Sequence, residues 1–330
     1  MKEIVVSGIR PTGNLHLGNY FGAVKSFIEM QHNCQCYFFI ADWHSLTTHP
    51  HPDNIRHNVK TILAEYLACG IDPATATIYV QSDVREVAEL YLYLNMNAYL
   101  GELERVTSFK DKVRSQPDNV NAGLLTYPSL MAADIIVHKA AKVPVGKDQE
   151  QHVEMARKFA RRFNTIYGVD YFVEPASYHL SETAVKVPGL DGSGKMGKSE
   201  GNAIYLVDDA ETIRKKVMRA VTDAGPTVPN SPKSEAIANL FLLLNIVSDQ
   251  TTCDYFNDQY NACTIRYGDL KKQLAEDISR FCTPIRERIL ELLKNDAYLD
   301  RIALQGAECA RASAAKTLRE VREIIGFRGN

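Results

Sequence analysis

The chain has 330 residues, 45% of them apolar and 24% charged, with a formal net charge of −2. That supports one large core or two ordinary ones, and it excludes binding nucleic acid by overall charge, so any such contact needs a local patch. Seven scattered cysteines with no C-x-x-C pair argue against zinc ribbons and redox disulfides and fit a reducing cytoplasm. No apolar run approaches a membrane span, and Lys2-Glu3 followed by three apolar residues is no signal peptide.

Ile4-Val5-Val6 reads as a buried strand, and Phe21, Val24 and Ile28 at helical spacing predict a helix over about 20–31. Residues 8–20 join them, with Gly8, Gly13, Gly18 and Pro11 bending the loop and admitting close backbone approach. Gly18 and Asn19 fall where the helix begins, and unpaired N–H groups there suit a phosphate. Taken alone, the loop is more simply a strand–helix connection. Residues 37–40 make a second strand, ending at Ala41-Asp42-Trp43-His44. Asp53 reads as the N-cap of a helix carrying Ile55, Val59, Ile62 and Tyr66 and stopped by Gly70. Residues 77–80 are a third strand and 86–100 an apolar, aromatic helix. This βαβα order predicts an α/β, Rossmann-like, doubly wound parallel sheet that binds ligands beyond the carboxyl ends of its strands.

Residues 101–116 are polar and basic, 117–122 a loop, 124–138 an apolar helix with Pro128 in its first turns, and 143–145 a short strand. Residues 149–163 form a helix whose polar face carries Arg157, Lys158, Arg161 and Arg162, a solvated face or a nucleic-acid contact. Residues 183–202, rich in Gly, Lys and Ser, break the pattern, and 204–207 look extended. Beyond Ala210 the chain is mainly helical. The predicted division is a catalytic domain, 1–207, and a C-terminal helical region, 208–330.

Gly192-Ser193-Gly194-Lys195-Met196-Gly197-Lys198-Ser199 matches the P-loop pattern G-x-x-x-x-G-K-[ST]. A P-loop needs a strand before it and a helix after it. Val187-Pro188-Gly189-Leu190-Asp191 is too broken for the first, and Glu200-Gly201-Asn202 with an extended segment does not supply the second. Lys195 and Lys198 can instead converge on a polyphosphate as mobile point charges, or simply line an exposed basic loop. Tyr127, Met131 and Asp134, at i, i+4 and i+7, share one helix face. An aromatic wall, a thioether and one carboxylate suit a flat apolar ring with a single N–H. The simpler alternative for Asp134 is an i,i+4 pair with His138. In Gly146-Lys147-Asp148-Gln149, Gly146 permits close approach and Asp148 can accept from ribose hydroxyls, or merely favour a helix dipole.

His16-Leu17-Gly18-Asn19 and Lys195-Met196-Gly197-Lys198-Ser199 together resemble the HIGH and KMSKS signatures of class I aminoacyl-tRNA synthetases. Gly101-Glu102-Leu103-Glu104-Arg105-Val106-Thr107, residues 123–135, residues 143–149 and Ala220-Val221-Thr222-Asp223 extend the resemblance, in order, to the tryptophanyl-tRNA synthetases. The resemblance implies a ligase that activates L-tryptophan with ATP and Mg²⁺ to the adenylate, releases pyrophosphate and charges tRNA(Trp). It implies a homodimer built through an insertion at about 84–122, and anticodon reading by 208–330. It assigns catalysis to His16, Lys112, Lys195 and Lys198. ATP contacts fall to Arg10, Pro11, Thr12, Gly18, Asn19, Gly146, Lys147, Asp148, Val187, Lys195, Met196, Gly197, Lys198 and Ser199. Tryptophan contacts fall to Tyr127, Met131, Gln149 and Asp134, whose carboxylate accepts the indole N–H.

Three positions depart from the expected patterns. Arg10 stands where close relatives often have Gln, Asn19 replaces the second His of the class signature, a variant associated with this family, and Gly197 replaces the usual Ser, which loosens the loop. Some relatives carry an iron–sulfur cluster. Cys253, Cys263, Cys282 and Cys309 lack the close spacing for one, so neither a cluster nor a structural metal is expected. The alternatives are a tyrosyl-tRNA synthetase, which residues 130–134 and 101–107 disfavour, a P-loop NTPase, and a non-catalytic paralogue.

Overall fold

A computed structural model describes residues 2–146, 149–178, 186–198 and 200–328. Among these, five parallel strands form one sheet in the order β3-β2-β1-β4-β5: β1 (Ile4–Ile9), β2 (Gln35–Ile40), β3 (Ala76–Val80), β4 (Lys142–Pro144) and β5 (Ala176–Tyr178). β1 pairs in register with β2, Val6 opposite Tyr37, and touches β4 through Val5 opposite Lys142. β2 is buried at every position after Gln35, the continuous apolar pattern of a strand covered on both faces. The chain moves outward from β1 in one direction through β2 and β3, then crosses back to β4 and β5. That reversal is the switch point of a doubly wound sheet, as the alternating order predicts.

The described residues group into two compact units, and neither is one continuous segment. The sheet unit comprises Met1–Gly13, Ser26–Ser181 and Asn295–Asn330; the second comprises Asn14–Lys25 and Glu182–Lys294. In the sheet unit the last helix, Asp296–Ile325, packs its backbone on the edge strand β3. Gly306 makes this possible, because a Cβ there would lie 1.7 Å from the Ile78 carbonyl oxygen. A helix over β3 protects the open edge of the sheet. In the second unit the helices are Ala210–Met218, Glu235–Val247, Gln250–Asn261 and Tyr267–Leu292. Lys271 Nζ closes the end of the first by donating to the Ala220 carbonyl at 2.7 Å.

Several local expectations change. The Pro52–Cys69 helix is capped by His51, whose Nδ1 accepts the Asp53 N–H, so Asp53 lies inside the first turn. Gly70 ends that helix at φ 109°, as expected. The helix predicted over 20–31 starts at Leu17 and passes through a wide π turn, Tyr20–Val24, before Lys25–Met30. Residues 204–207 form no strand; Tyr205 makes only an isolated antiparallel bridge to His16. The arginine face of the Glu150–Tyr167 helix is largely internally paired. Arg161 grips Glu174 with two bonds, Arg162 meets Glu102 at 2.7 Å, and Arg157 meets Glu154 at 3.1 Å. Those carboxylates offset three of the four positive charges on that face.

Candidate active site

In the sheet unit the polar centre is Asp134, on the Tyr127–Ile136 helix and 2% exposed. It does not pair with His138. That ring stacks on Tyr37 at 4.1 Å and lies 3.1 Å from both the Tyr79 hydroxyl and Ser313 Oγ. Burial lowers the His138 pKa to about 3, so it is a neutral core group. Asp134 instead accepts from His44 Nε2 at 2.8 Å and from Gln81 Nε2 at 2.8 and 2.9 Å, one to each oxygen. Burial raises the Asp134 pKa, and the bonds from His44 and Gln81 oppose that rise.

His44 and Gln81 come from neighbouring strand ends: Asp42–Ser45 follows β2, and Gln81 follows β3. Asp42 ties these ends by accepting the N–H groups of Trp43 and Ser82, each at 3.0 Å. A carboxylate offers about four acceptor positions. Three are engaged here, which leaves one on Oδ1 for a single N–H donor.

The Tyr127 ring lies against His44 at 4.3 Å and His152 at 5.5 Å. His152 in turn meets Gln149 Oε1 at 3.0 Å and Ser108 Oγ at 2.9 Å. Thus Tyr127, Gln149 and Asp134 join one network through two histidines that sequence reasoning did not select. Met131 is half-buried on the same helix as Asp134, and Arg10 is near enough for its charge to act on the Tyr127 hydroxyl. Pro11 is buried, and Thr12 N–H bonds the Arg10 carbonyl at 2.8 Å. Lys112 is half-buried on Thr107–Ser115, one turn after Ser108, and Gly146 offers its carbonyl to Gln149 N–H. Lys147, Asp148 and Ser199 lie outside the described residues.

The second unit brings the two signature segments together. A Cβ on Gly18 would lie 2.9 Å from the His16 ring and 3.5 Å from Met196 Cβ, so only glycine allows this approach without displacement. Leu17 N–H bonds the Ile204 carbonyl and Leu206 N–H the Leu15 carbonyl, tying the segment that follows the Lys195 loop to the His16 segment. His16 caps the Leu17–Asn19 turn: its Nδ1 accepts the Asn19 N–H at 3.3 Å, and Asn19 Oδ1 accepts the His16 N–H at 3.1 Å. The Asn19 N–H, which the sequence offers to a phosphate, is bonded to His16 in this structure. Asn19 supplies the reciprocal half of a capping box. The His16 pKa is lowered to about 4, first by burial and then by the charges of Lys198 and Lys195, with Glu200 opposing.

Met196 is the buried anchor of its loop, and its N–H bonds the Val187 carbonyl at 2.8 Å. The Gly197 N–H goes to Asn202 Oδ1 at 2.9 Å. Among the described residues no strand immediately precedes this loop and no helix immediately follows it, so the P-loop reading fails. Among them, too, no group of three His, Cys, Asp or Glu side chains converges on a metal position.

Residues 2–283 match the family described as tRNA synthetases class I (W and Y). Over 326 residues, 99% of this chain and 100% of its relative, the sequence is 76% identical to a protein of Porphyromonas gingivalis named tryptophan–tRNA ligase. The chain belongs to the class I tryptophanyl-tRNA synthetases. A Fusobacterium nucleatum protein of the same name is 40% identical over 98% of both chains. The tryptophanyl-tRNA synthetase of Campylobacter jejuni, solved in complex with ADP and tryptophan, superposes with a TM-score of 0.88 at 36% identity, covering 98% of this chain and 100% of that one. A tyrosyl-tRNA synthetase from Aeropyrum pernix shares the fold, with a TM-score of 0.69 at 18% identity.

Proposed function

We propose that this chain activates L-tryptophan with MgATP, releases pyrophosphate, and transfers the tryptophanyl group from the adenylate to tRNA(Trp). The observation that carries the amino-acid choice is Asp134, a buried carboxylate with one acceptor position left for an indole N–H. A phenyl ring would leave that position unpaired, which such a site penalises heavily. Tyr127 and Met131 supply apolar and aromatic surface, and Gln149 the contact to the amino acid's own polar groups.

The substrate carboxylate is already a nucleophile, so the adenylate step needs no protein base. It needs positioning and stabilisation of charge on the phosphates. Lys195, Lys198, Lys112 and neutral His16 take that role, with Mg²⁺ arriving as part of the nucleotide. With the Asn19 N–H already bonded, the phosphate contact of the first signature falls to His16 and Gly18. Arg10, Pro11, Thr12, Gly146, Lys147, Asp148, Val187, Met196, Gly197 and Ser199 line the nucleotide.

Residues 1–207 carry the chemistry and the helices of 208–330 read the anticodon. Leu92, Met96, Tyr99 and Leu100, exposed by 52, 76, 63 and 60%, support a homodimer through the 84–122 insertion. No helix among the described residues is long and apolar enough to cross a membrane, and a tRNA-charging enzyme belongs in the cytoplasm.

ATP–pyrophosphate exchange with each amino acid in turn tests this function. Exchange with tryptophan alone upholds it. Exchange with tyrosine makes the protein a tyrosyl-tRNA synthetase, ATP hydrolysis without amino acid makes it an NTPase, and no exchange makes it a non-catalytic paralogue.

A further inference from the structure

Asn202 drew no attention in the sequence, yet its side chain is the hub of the Lys195 loop. It is 4% exposed. Its Oδ1 accepts the Gly197 N–H at 2.9 Å. Its Nδ2 lies 2.9 Å from Asp191 Oδ1, 3.0 Å from Ser193 Oγ and 3.2 Å from the Lys195 carbonyl. The Gly197 donor and the Asp191 carboxylate together fix which end of the amide is oxygen. Asp191 also accepts from the Ser193 N–H at 3.1 Å and hydroxyl at 2.7 Å, and the Asn202 carbonyl accepts the Leu190 N–H at 3.2 Å.

One amide therefore grips the backbone on both sides of Met196, at the Lys195 carbonyl and the Gly197 N–H. The chain makes room for it: a Cβ on Gly189 would lie 2.1 Å from Asn202 Nδ2 and 2.5 Å from Asp191 Oδ1. A buried amide in two-sided contact fixes a backbone direction more firmly than a single bond does. The lysines leave the loop on either side of that clamp, so its geometry sets where their ammonium groups can reach.

We propose that Asn202 is a positioning residue for adenylate formation, aiming Lys195 and Lys198 by clamping the backbone around Met196. This rests on the reading that those lysines act on the triphosphate. The Asn202 side chain is buried and its amide is taken up by the loop itself, so its effect is expected in the rate of activation and not in the affinity for tryptophan.

The test is ATP–pyrophosphate exchange on the full chain carrying Asn202→Ala, Asn202→Asp or Gly189→Ala, each alone and combined with Lys195→Ala. Asn202→Asp keeps the acceptor for Gly197 but sets a second carboxylate beside Asp191. Gly189→Ala displaces the amide while leaving Asn202 in place. All three are expected to lower kcat by about 10- to 100-fold, the scale of a reacting group misplaced by an ångström, with the KM for tryptophan unchanged. In the Lys195→Ala background each is expected to cost clearly less than in the parent, because one of the two groups being aimed is gone. Full activity of all three single variants overturns the proposal, as does a multiplicative loss in the double variants. If Lys195→Ala and Lys198→Ala both leave exchange intact while Asn202→Ala lowers it, the reading of the lysines fails instead. Asn202 is then only structural.

Discussion

His44 Nε2 meets Asp134 Oδ2 at 2.8 Å, and both side chains are buried. Asp134 can accept from His44, from Gln81 and from an indole N–H together only while it is ionised. In Asp134→Asn one acceptor becomes a donor, turned toward groups that are donors themselves. The KM for tryptophan is expected to rise by about 10- to 100-fold, the equivalent of losing a hydrogen bond to a charged group. The KM for ATP is expected to stay near the parent value. Equal changes in both would assign Asp134 to the scaffold.

The same carboxylate gives a pH dependence. Burial raises the Asp134 pKa above the ordinary carboxylate value, with His44 and Gln81 only opposing the shift. Protonation removes the acceptor, so tryptophan affinity is full above the raised pKa and is lost as pH falls through it. The loss is expected at a higher pH than an exposed aspartate would give. Tryptophan binding measured across the acid range checks this, and a midpoint at or below the ordinary value, 3.8, contradicts it.

Residues close in sequence made part of this candidate site legible. The first signature is a four-residue run, the second a five-residue loop, and Tyr127, Met131 and Asp134 are linked by helix periodicity alone. The partners of Asp134 were not legible, because His44 and Gln81 follow different strands and meet only once β2 and β3 pair in register. His152 escaped because it meets Tyr127 and Ser108 only where three different helices come together. The i,i+4 spacing of Asp134 and His138 was a real signal that tertiary packing overrode: Tyr79 and Ser313 offer His138 partners from β3 and the last helix. That helix reads as an ordinary amphipathic segment, and nothing local marks its return to β3 except Gly306.

His16 supplies a second pH prediction, of the same origin and with the opposite direction of shift. Its folded pKa, about 4, lies below the ordinary 6.5, chiefly through burial. The unfolded chain therefore binds the proton more readily. The stability contributed by neutral His16 is fully present above pH 6.5 and declines as pH falls toward about 4. Unfolding of the parent and of His16→Gln by denaturant across this range is expected to show a stability difference that shrinks on acidification. A constant difference would mean that His16 titrates alike in both states.

Gly197 and Glu200 form a pair that replaces the family's serine. A Cβ at Gly197 would lie 1.9 Å from Glu200 Oε2, so the carboxylate occupies the space a serine side chain needs. Gly197→Ser forces Glu200 to swing away, which is possible because the contact is the tip of a flexible chain. The substitution is expected to change kcat for pyrophosphate exchange in the parent but much less in a Glu200→Ala background. The interaction between the two is expected to exceed about 0.5 kcal/mol in a double-mutant cycle. Strict additivity would mean that the two positions act independently.

Gly306→Ala tests how tightly the last helix lies on β3. The added carbon would meet the Ile78 carbonyl at 1.7 Å, and backbone on both sides leaves little freedom to yield. Overpacking of this kind costs about 1–3 kcal/mol or more. A clear fall in Tm is expected, whereas Gly268→Ala, at a position with open space around it, is expected to leave Tm nearly unchanged.

The exposed apolar side chains of the insertion give the last prediction. Leu92 and Met96 lie one turn apart on Glu86–Met96, and Tyr99 and Leu100 follow directly. Arg162 holds this corner by stacking on Tyr99 at 4.1 Å and pairing with Glu102 at 2.7 Å, so the patch is presented on fixed backbone. Exposed apolar groups on a rigid support stand to gain from burial against a second copy. Sedimentation velocity at micromolar concentration is expected to show a dimer for the parent. Met96→Lys combined with Leu100→Lys is expected to shift it to monomer, because a desolvated ammonium without a partner opposes association. Retention of the dimer by that variant would place the interface elsewhere, and a monomeric parent would remove the homodimer from the proposal.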